Sequence, residues 1–440
     1  MTNIVGIPYV AARFDQKGAL QNQNEVTVPA GTTDLFVISH GWNNTDADAE
    51  KLYHDLFTNF ATVAPELLTR RKLAIVGVIW PSKKFTDIVD AASAAQSSAA
   101  GFGGGSTAAD DTIKAKLDAI ATMFGPEASA KIQDAKNLIA KLESDPAVRD
   151  EFVNGLRSLL DPSAAHAEDN SKLFFKMSGS VMLDKLKVPT PLVVAGAGGG
   201  GGGASFPSGA AKPSAGGAAG LGDIFSGVKA GAIRFLNYFT YYEMKARAGT
   251  VGRNGVGPLI DRLAGSVDRM FIHLIGHSFG GRVVTSAASG STTDRVKSMS
   301  LLQTAFSHNG FSHSMNGFFR DVVDKQRVKG PILVTHTPND TAVGIAYPTA
   351  SRLSGTTAAG FGDQNDPFGG LGRNGAQKME PGEVVAGVDT LLAVGGNYAW
   401  QIGRFHNLEG SKFIVAPDGG DAHGFVTGKE IAWAISRAIA

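Results

Sequence analysis

Gly276-His277-Ser278-Phe279-Gly280 fits the spacing G-x-S-x-G, in which a serine sits on a sharp strand-to-helix elbow with its hydroxyl raised above a sheet. The chemistry open to such a serine is nucleophilic: its oxygen attacks an acyl carbon once a nearby base has taken its proton. The elbow is crowded. A serine there occupies a backbone region costing on the order of 1–3 kcal/mol, and the positions two before and two after it must lack side chains. Gly276 and Gly280 meet that demand. In a chain with 56 glycines among 440 residues the bare pattern arises roughly 0.5 times by chance, so its flanks carry the assignment. Met270-Phe-Ile-His-Leu-Ile275 before it suits a strand, and Arg282-Val-Val-Thr-Ser-Ala-Ala288 after it reads as a helix packed on the sheet.

Two rival patterns fail on context. Gly196-Ala-Gly-Gly-Gly-Gly201 satisfies G-x-G-x-x-G, but Ser-Phe-Pro-Ser-Gly follows shortly after it, so no helix N-terminus is there to bind phosphate. Gly424-Phe-Val-Thr-Gly-Lys-Glu430 is one residue short of a P-loop and lacks its Ser or Thr. No His-Glu-x-x-His or calcium loop occurs, so neither metal nor cofactor is expected.

The elements that must position Ser278 alternate. Short β-branched runs ending in small or polar residues are followed by helical patterns, which predicts a doubly wound α/β fold, a mostly parallel sheet with helices on both faces. Leu35 to Ser39 runs into His40-Gly41-Trp42-Asn43-Asn44, and Asp46 to Ala64 has helical spacing. Leu73 to Trp80 reads as a buried strand stopped by Pro81. Val296 to Leu302, Ile332 to Thr335 and Phe413 to Val415 read as further strands, and Lys429 to Ala440 as the closing helix.

Residues 82–222 break the alternation and divide a core formed by 1–81 and 223–440. They hold three helical patterns, Asp111 to Phe124, Pro126 to Leu142 and Pro146 to Leu160, the last with Asp145 as N-cap. Three tracts, 101–105, 195–222 and 355–375, contain 23 of the 56 glycines in 54 positions. The first two have the composition of flexible connectors, so the helical insertion is expected to be hinged to the sheet. Asp223 to Arg247, with Gly249 as its stop, and Pro258 to Leu263 then return the chain to the sheet.

With 41 Lys+Arg against 40 Asp+Glu the net charge is +1, which argues against a binder of nucleic acid or anionic membrane. Apolar residues at 43% and charged residues at 18% place the chain among globular proteins. The absence of cysteine excludes disulfides, thiolate metal sites and cysteine nucleophiles. The first residues lack the basic and apolar regions of a signal peptide, and no window has about 18 consecutive apolar residues, so a cytoplasmic protein without a transmembrane segment is expected, secretion by another route remaining open.

The elbow, together with His40-Gly41-Trp42 after an early core strand, resembles the α/β-hydrolase superfamily, more particularly its bacterial serine esterases and lipases. The resemblance covers roughly residues 26–80 and 223–440. It implies an oxyanion hole formed by the backbone N–H groups of Trp42 and Phe279, each worth about 2.7–4 kcal/mol of transition-state stabilisation. It also implies the order Ser, acid, His, each beyond a strand's C-terminal end. Asp340 is the first acid after the Ile332 strand, carried on a Pro338-Asn339 turn, with Asp363 and Asp366 as substitutes. His423 lies between the last strand and the last helix, where this family keeps its base, and His406 is its rival. His40 would brace the oxyanion loop, and Gly41 would spare it a side chain. His277 and His273 are expected to be buried structural residues, whereas His308 and His313 could line the pocket mouth.

The implied reaction is hydrolysis of a carboxylic ester through an acyl-enzyme, on a small, lipid-like or polymeric substrate. Lipase, polyester hydrolase, thioesterase, amidase, peptidase and acyltransferase chemistry share the same machinery, and a non-catalytic ligand-binding protein on this fold is the other class. The insertion would be a lid or else a packing or oligomerisation element.

Overall fold

The computed structural model describes residues 2–82, 105–187, 227–346, 366–387 and 390–439. Its sheet comprises β1 (Thr2–Ile4), β2 (Ile7–Arg13), β3 (Asp34–Ser39), β4 (Leu73–Ile79), β5 (Phe271–His277), β6 (Val296–Leu302), β7 (Ile332–His336) and β8 (Phe405–Glu409). They lie in the order β1-β2-β4-β3-β5-β6-β7-β8, all neighbours parallel except β1 with β2. Every residue of β3 and β4 is buried, as expected for a parallel sheet covered on both faces.

Period-two alternation sorts the side chains into two cores. Leu35 and Val37 join one, and Phe36 and Ile38 the other. The second core is closed by α1 (Asp46–Val63), followed by the short α2 (Pro65–Arg70), and by the C-terminal helix. Tyr53, Phe57 and Phe60 of α1 face Phe36, with Phe57 and Phe60 edge-on to it at 5.1 and 5.4 Å.

On the first face come α3 (Gly105–Phe124), α4 (Ser129–Leu138), α5 (Pro146–Arg157), α6 (Lys172–Lys176), α7 (Gly179–Leu186), α8 (Gly227–Thr250), α9 (Gly257–Ser266) and α10 (Phe279–Gly290). Asp145 caps α5 as expected, accepting from the N–H of Ala147 at 2.9 Å. Gly249 does not stop α8. The chain continues through a wide turn, Val251–Val256, into α9, because Gly252 is a close-approach glycine whose Cβ would meet the Val283 carbonyl of α10.

The described part of the insertion is packed, not suspended. Ile113, Leu117, Phe152, Leu156 and Phe174 belong to one continuous core with Phe235 and Phe239 of α8 and Leu35 of the sheet. Phe174 stacks on Phe235 at 5.4 Å and lies 4.5 Å from the Tyr242 ring. The expectation of a hinge came from the composition of the flanks, and residues 101–104 and 195–222 lie outside the described residues, as do 355–365 of the third tract. A chain lacking residues 105–187 is therefore expected to lose cooperative unfolding, since each large apolar side chain uncovered on α8 forfeits about 1.5–3 kcal/mol. Circular dichroism melting checks this, and a sharp transition in the shortened protein would contradict it.

The remaining helices are α11 (Arg320–Asp324), α12 (Thr341–Ala346), α13 (Leu371–Asn374) and α14 (Lys429–Ile439). The last strand is β8, not residues 413–415. Those form a turn in which the N–H groups of Phe413 and Ile414 both bond Gly410 O. The polar residues of β8 at the sheet's edge hide it from periodicity, with Phe405 and Leu408 its two buried apolar residues. Among the described residues no helix is long and apolar enough to cross a membrane.

Candidate active site

The chain leaves β3 for β4 on one side, and β5 pairs with β3 on the other. Such a reversal opens a crevice beyond the carboxyl ends of the two strands. The register opposes Ser39 to Gly276, so His40-Gly41 and His277-Ser278 emerge side by side at that crevice. Ser278 has φ 56° and ψ −126° and immediately precedes α10, the strained elbow expected from the motif. A Cβ on Gly276 would stand 2.5 Å from Gly281, and one on Gly280 2.5 Å from His40 O. One on Gly41 would lie 2.6 Å from Ser278 Cβ. Gly281 belongs to the same set, because its Cβ would strike Thr304 of the loop after β6.

His40 organises the loop against Ser278. Its Nδ1–H donates to Gly41 O at 2.8 Å, while its Nε2 accepts the Trp80 N–H at 3.3 Å. Burial pushes its pKa down to about 4, so it is neutral at pH 7 and holds this tautomer. Asn44 Nδ2 donates to the carbonyls of Gly41 and Trp42 at 3.1 and 3.0 Å. A trans peptide sets N–H opposite C=O, so the N–H of Trp42 faces away from His40 and Asn44. The Trp42 ring lies 6.0 Å from that of Phe279, whose own N–H opens α10.

Asp340 follows β7 on a turn closed by Asp340 N–H to Thr337 O at 3.1 Å. Its carboxyl is wholly buried. Oδ1 accepts the Val343 N–H at 2.9 Å, and Oδ2 lies 2.9 Å from Nδ1 of His423, 83 positions later in the chain. Nδ1 is thereby the protonated nitrogen, and the lone pair of Nε2 is left to accept a proton. Burial lowers the His423 pKa, but the charge and hydrogen bond of Asp340, with Asp421 behind it, more than offset this and hold it above the usual histidine value. No hydrogen bond joins Ser278 to His423 among the described residues.

Two further residues adjoin this pair, His277, expected to be buried, and Asp421, which the sequence reasoning missed. His277 donates from Nε2 to the backbone carbonyl of His423 at 2.9 Å, the two rings 4.9 Å apart. Burial pushes its pKa down to about 3, so it tethers His423 without adding charge. Asp421 bonds the segment following Asp340, and its one sequence signal is that it stands two residues before His423.

The other candidates separate from the site. His406 is buried in β8 beside Leu333, accepts the Gln401 N–H at 3.1 Å and lies edge-on to Trp400. His308 does not line a pocket mouth, being buried between Gly369 N–H and Asn374 Nδ2. His313 is an exposed surface residue. Asp366 accepts the Phe368 N–H, and Asp363 lies outside the described residues. His273 joins Ser298 Oγ at 2.8 Å and Asp34 Oδ1 at 3.1 Å, a second Ser-His-Asp set. All three are buried within the sheet, which makes it a structural network.

Comparison with protein-family models, with curated proteins and with solved structures returns no match for the chain.

Proposed function

We propose that the protein is a serine hydrolase of α/β-hydrolase fold that cleaves carboxylic esters. The observation that carries this reading is the convergence, at the carboxyl ends of the strands, of a serine at positive φ and a buried Asp340 paired with His423. In the proposed reaction His423 Nε2 takes the proton of Ser278 as Oγ attacks the acyl carbon. Asp340 keeps the imidazole in the productive tautomer and stabilises the imidazolium. The N–H groups of Trp42 and Phe279 hold the oxyanion, the second aided by its place at a helix N-terminus. His423 then returns the proton to the leaving alcohol, and water, activated by the same imidazole, releases the acid. The Ser278–His423 contact closes as substrate fills the crevice, as catalytic hydrogen bonds commonly do.

Trp42, half-buried beside Ser278, offers an aromatic surface that favours an apolar acyl or alcohol group, backed by the buried rings of Phe279 and Tyr241. Of the two readings of the helical insertion, its burial in one core with α8 favours a packing element over a lid. Turnover of nitrophenyl esters of graded acyl length, with phosphonylation of Ser278 located by peptide mass, tests the reading. Absence of both labelling and turnover would overturn it.

Activity requires neutral His423. Because its pKa is raised, kcat/KM is expected to fall as the pH drops through a midpoint above the ordinary histidine value of about 6.5. A pH–rate profile whose acid limb lies below that value would contradict the assignment of the base.

A further inference from the structure

We propose that Asp421 is a positioning residue that clamps the loop carrying His423 to the turn carrying Asp340. The inference rests on the Ser-His-Asp reading above. A bond between residues so far apart in the chain holds only if their two loops are fastened to each other. Oδ1 of Asp421 accepts from Thr341 N–H and Thr341 Oγ1, both at 2.7 Å, and from Ala342 N–H at 3.1 Å. The next residue, Ala422, donates its N–H to Asn339 O at 3.0 Å. Asn339 Nδ2 in turn donates to Ser411 O and Ile414 O, at 3.3 and 3.2 Å. The residues on both sides of Asp340 are thus gripped by the loop that holds the base.

Among these fasteners the Asp421 side chain alone carries a charge. The ionisable groups around His423 are Asp340, Asp421 and neutral His277, with Arg373 donating to Asp340 O at 3.0 Å. Asp421 therefore acts in two ways: its oxygen fixes the acid turn, and its charge favours the imidazolium formed during proton transfer.

Two variants separate these actions. Asp421→Ala removes both and is expected to lower kcat about 10–100-fold with KM changed less than twofold, since a displacement near 1 Å at the reacting groups costs about that much. Asp421→Asn keeps the acceptor and removes the charge. Its kcat is expected to fall several-fold less, while the acid limb of kcat/KM moves to lower pH. A helix cap with no part in catalysis would lower the melting temperature of both variants and leave the pH limb in place, which would overturn the proposal.

Nuclear magnetic resonance titration of the His423 ring, which needs no substrate, supplies the second readout and also serves if the alanine variant fails to fold. A lower His423 pKa in Asp421→Asn supports the action of the Asp421 charge on the base and an unchanged one refutes it, while in Asp421→Ala a kcat no lower than that of Asp421→Asn refutes the clamp. That shift in a protein without esterase turnover would sink the hydrolase reading and leave the coupling of Asp421 to His423 standing.

Discussion

Replacing Ser278 by alanine is expected to lower kcat for a nitrophenyl ester by on the order of 10⁴-fold or more, with little change in melting temperature. The variant retains the Cβ that Gly41 already accommodates, so the packing of the elbow survives. The positive φ of 56° is as strained for alanine as for serine, and nothing in the backbone changes. What disappears is the oxygen that, in the proposed reaction, forms the acyl-enzyme. The groups left behind, the two N–H donors and the binding surface, account for residual catalysis of about 10³–10⁴ over water at most. Initial-rate kinetics on freshly purified wild type and variant decide the matter, and turnover that survives the substitution would remove Ser278 from the mechanism.

His423→Ala is expected to match that loss, and the double variant Ser278→Ala/His423→Ala to be no worse than either, because nucleophile and base act as a unit. His406→Ala is the control. Its imidazole accepts a hydrogen bond from the N–H of exposed Gln401 and packs against Trp400, so its removal leaves a cavity in β8 and takes away that partner. The expected cost is about 1–3 kcal/mol of stability, with kcat close to wild type. Chemical denaturation read beside steady-state kinetics separates the two effects. The opposite pattern, activity lost at 406 and kept at 423, would reassign the base.

Much of the candidate site was legible because it is local. Gly276, Ser278 and Gly280 lie within five residues, and the crowding that demands small residues there follows from the turn itself. Asp340 was legible as the first acid after a β-branched strand, its turn marked by Pro338-Asn339. The fold class was legible because apolar strands buried on both faces read as continuous runs, as in β3 and β4. The elements that escaped were β8, with two buried apolar residues among its five, and the β1–β2 pair at the opposite edge, where β1 has one apolar residue in three and Pro8 near the start of β2 argues against a strand.

Where the reasoning from composition misjudged the described helices, the cause is that glycine content describes a segment's freedom and not what the neighbouring helices bury. Phe174 and Phe152 pack on Phe235 of α8, which shares one core with Val283 and Val284 of α10, a contact far away in the chain. The same distinction runs through the site. Local pattern settled which residue types stand at 276–280 and that a strand must precede them, because those constraints act over a few bonds. The meeting of Asp340 with His423 across 83 positions, and their tethering by Asp421 and His277, belongs to the tertiary structure, because no interaction nearby in the chain requires any of them.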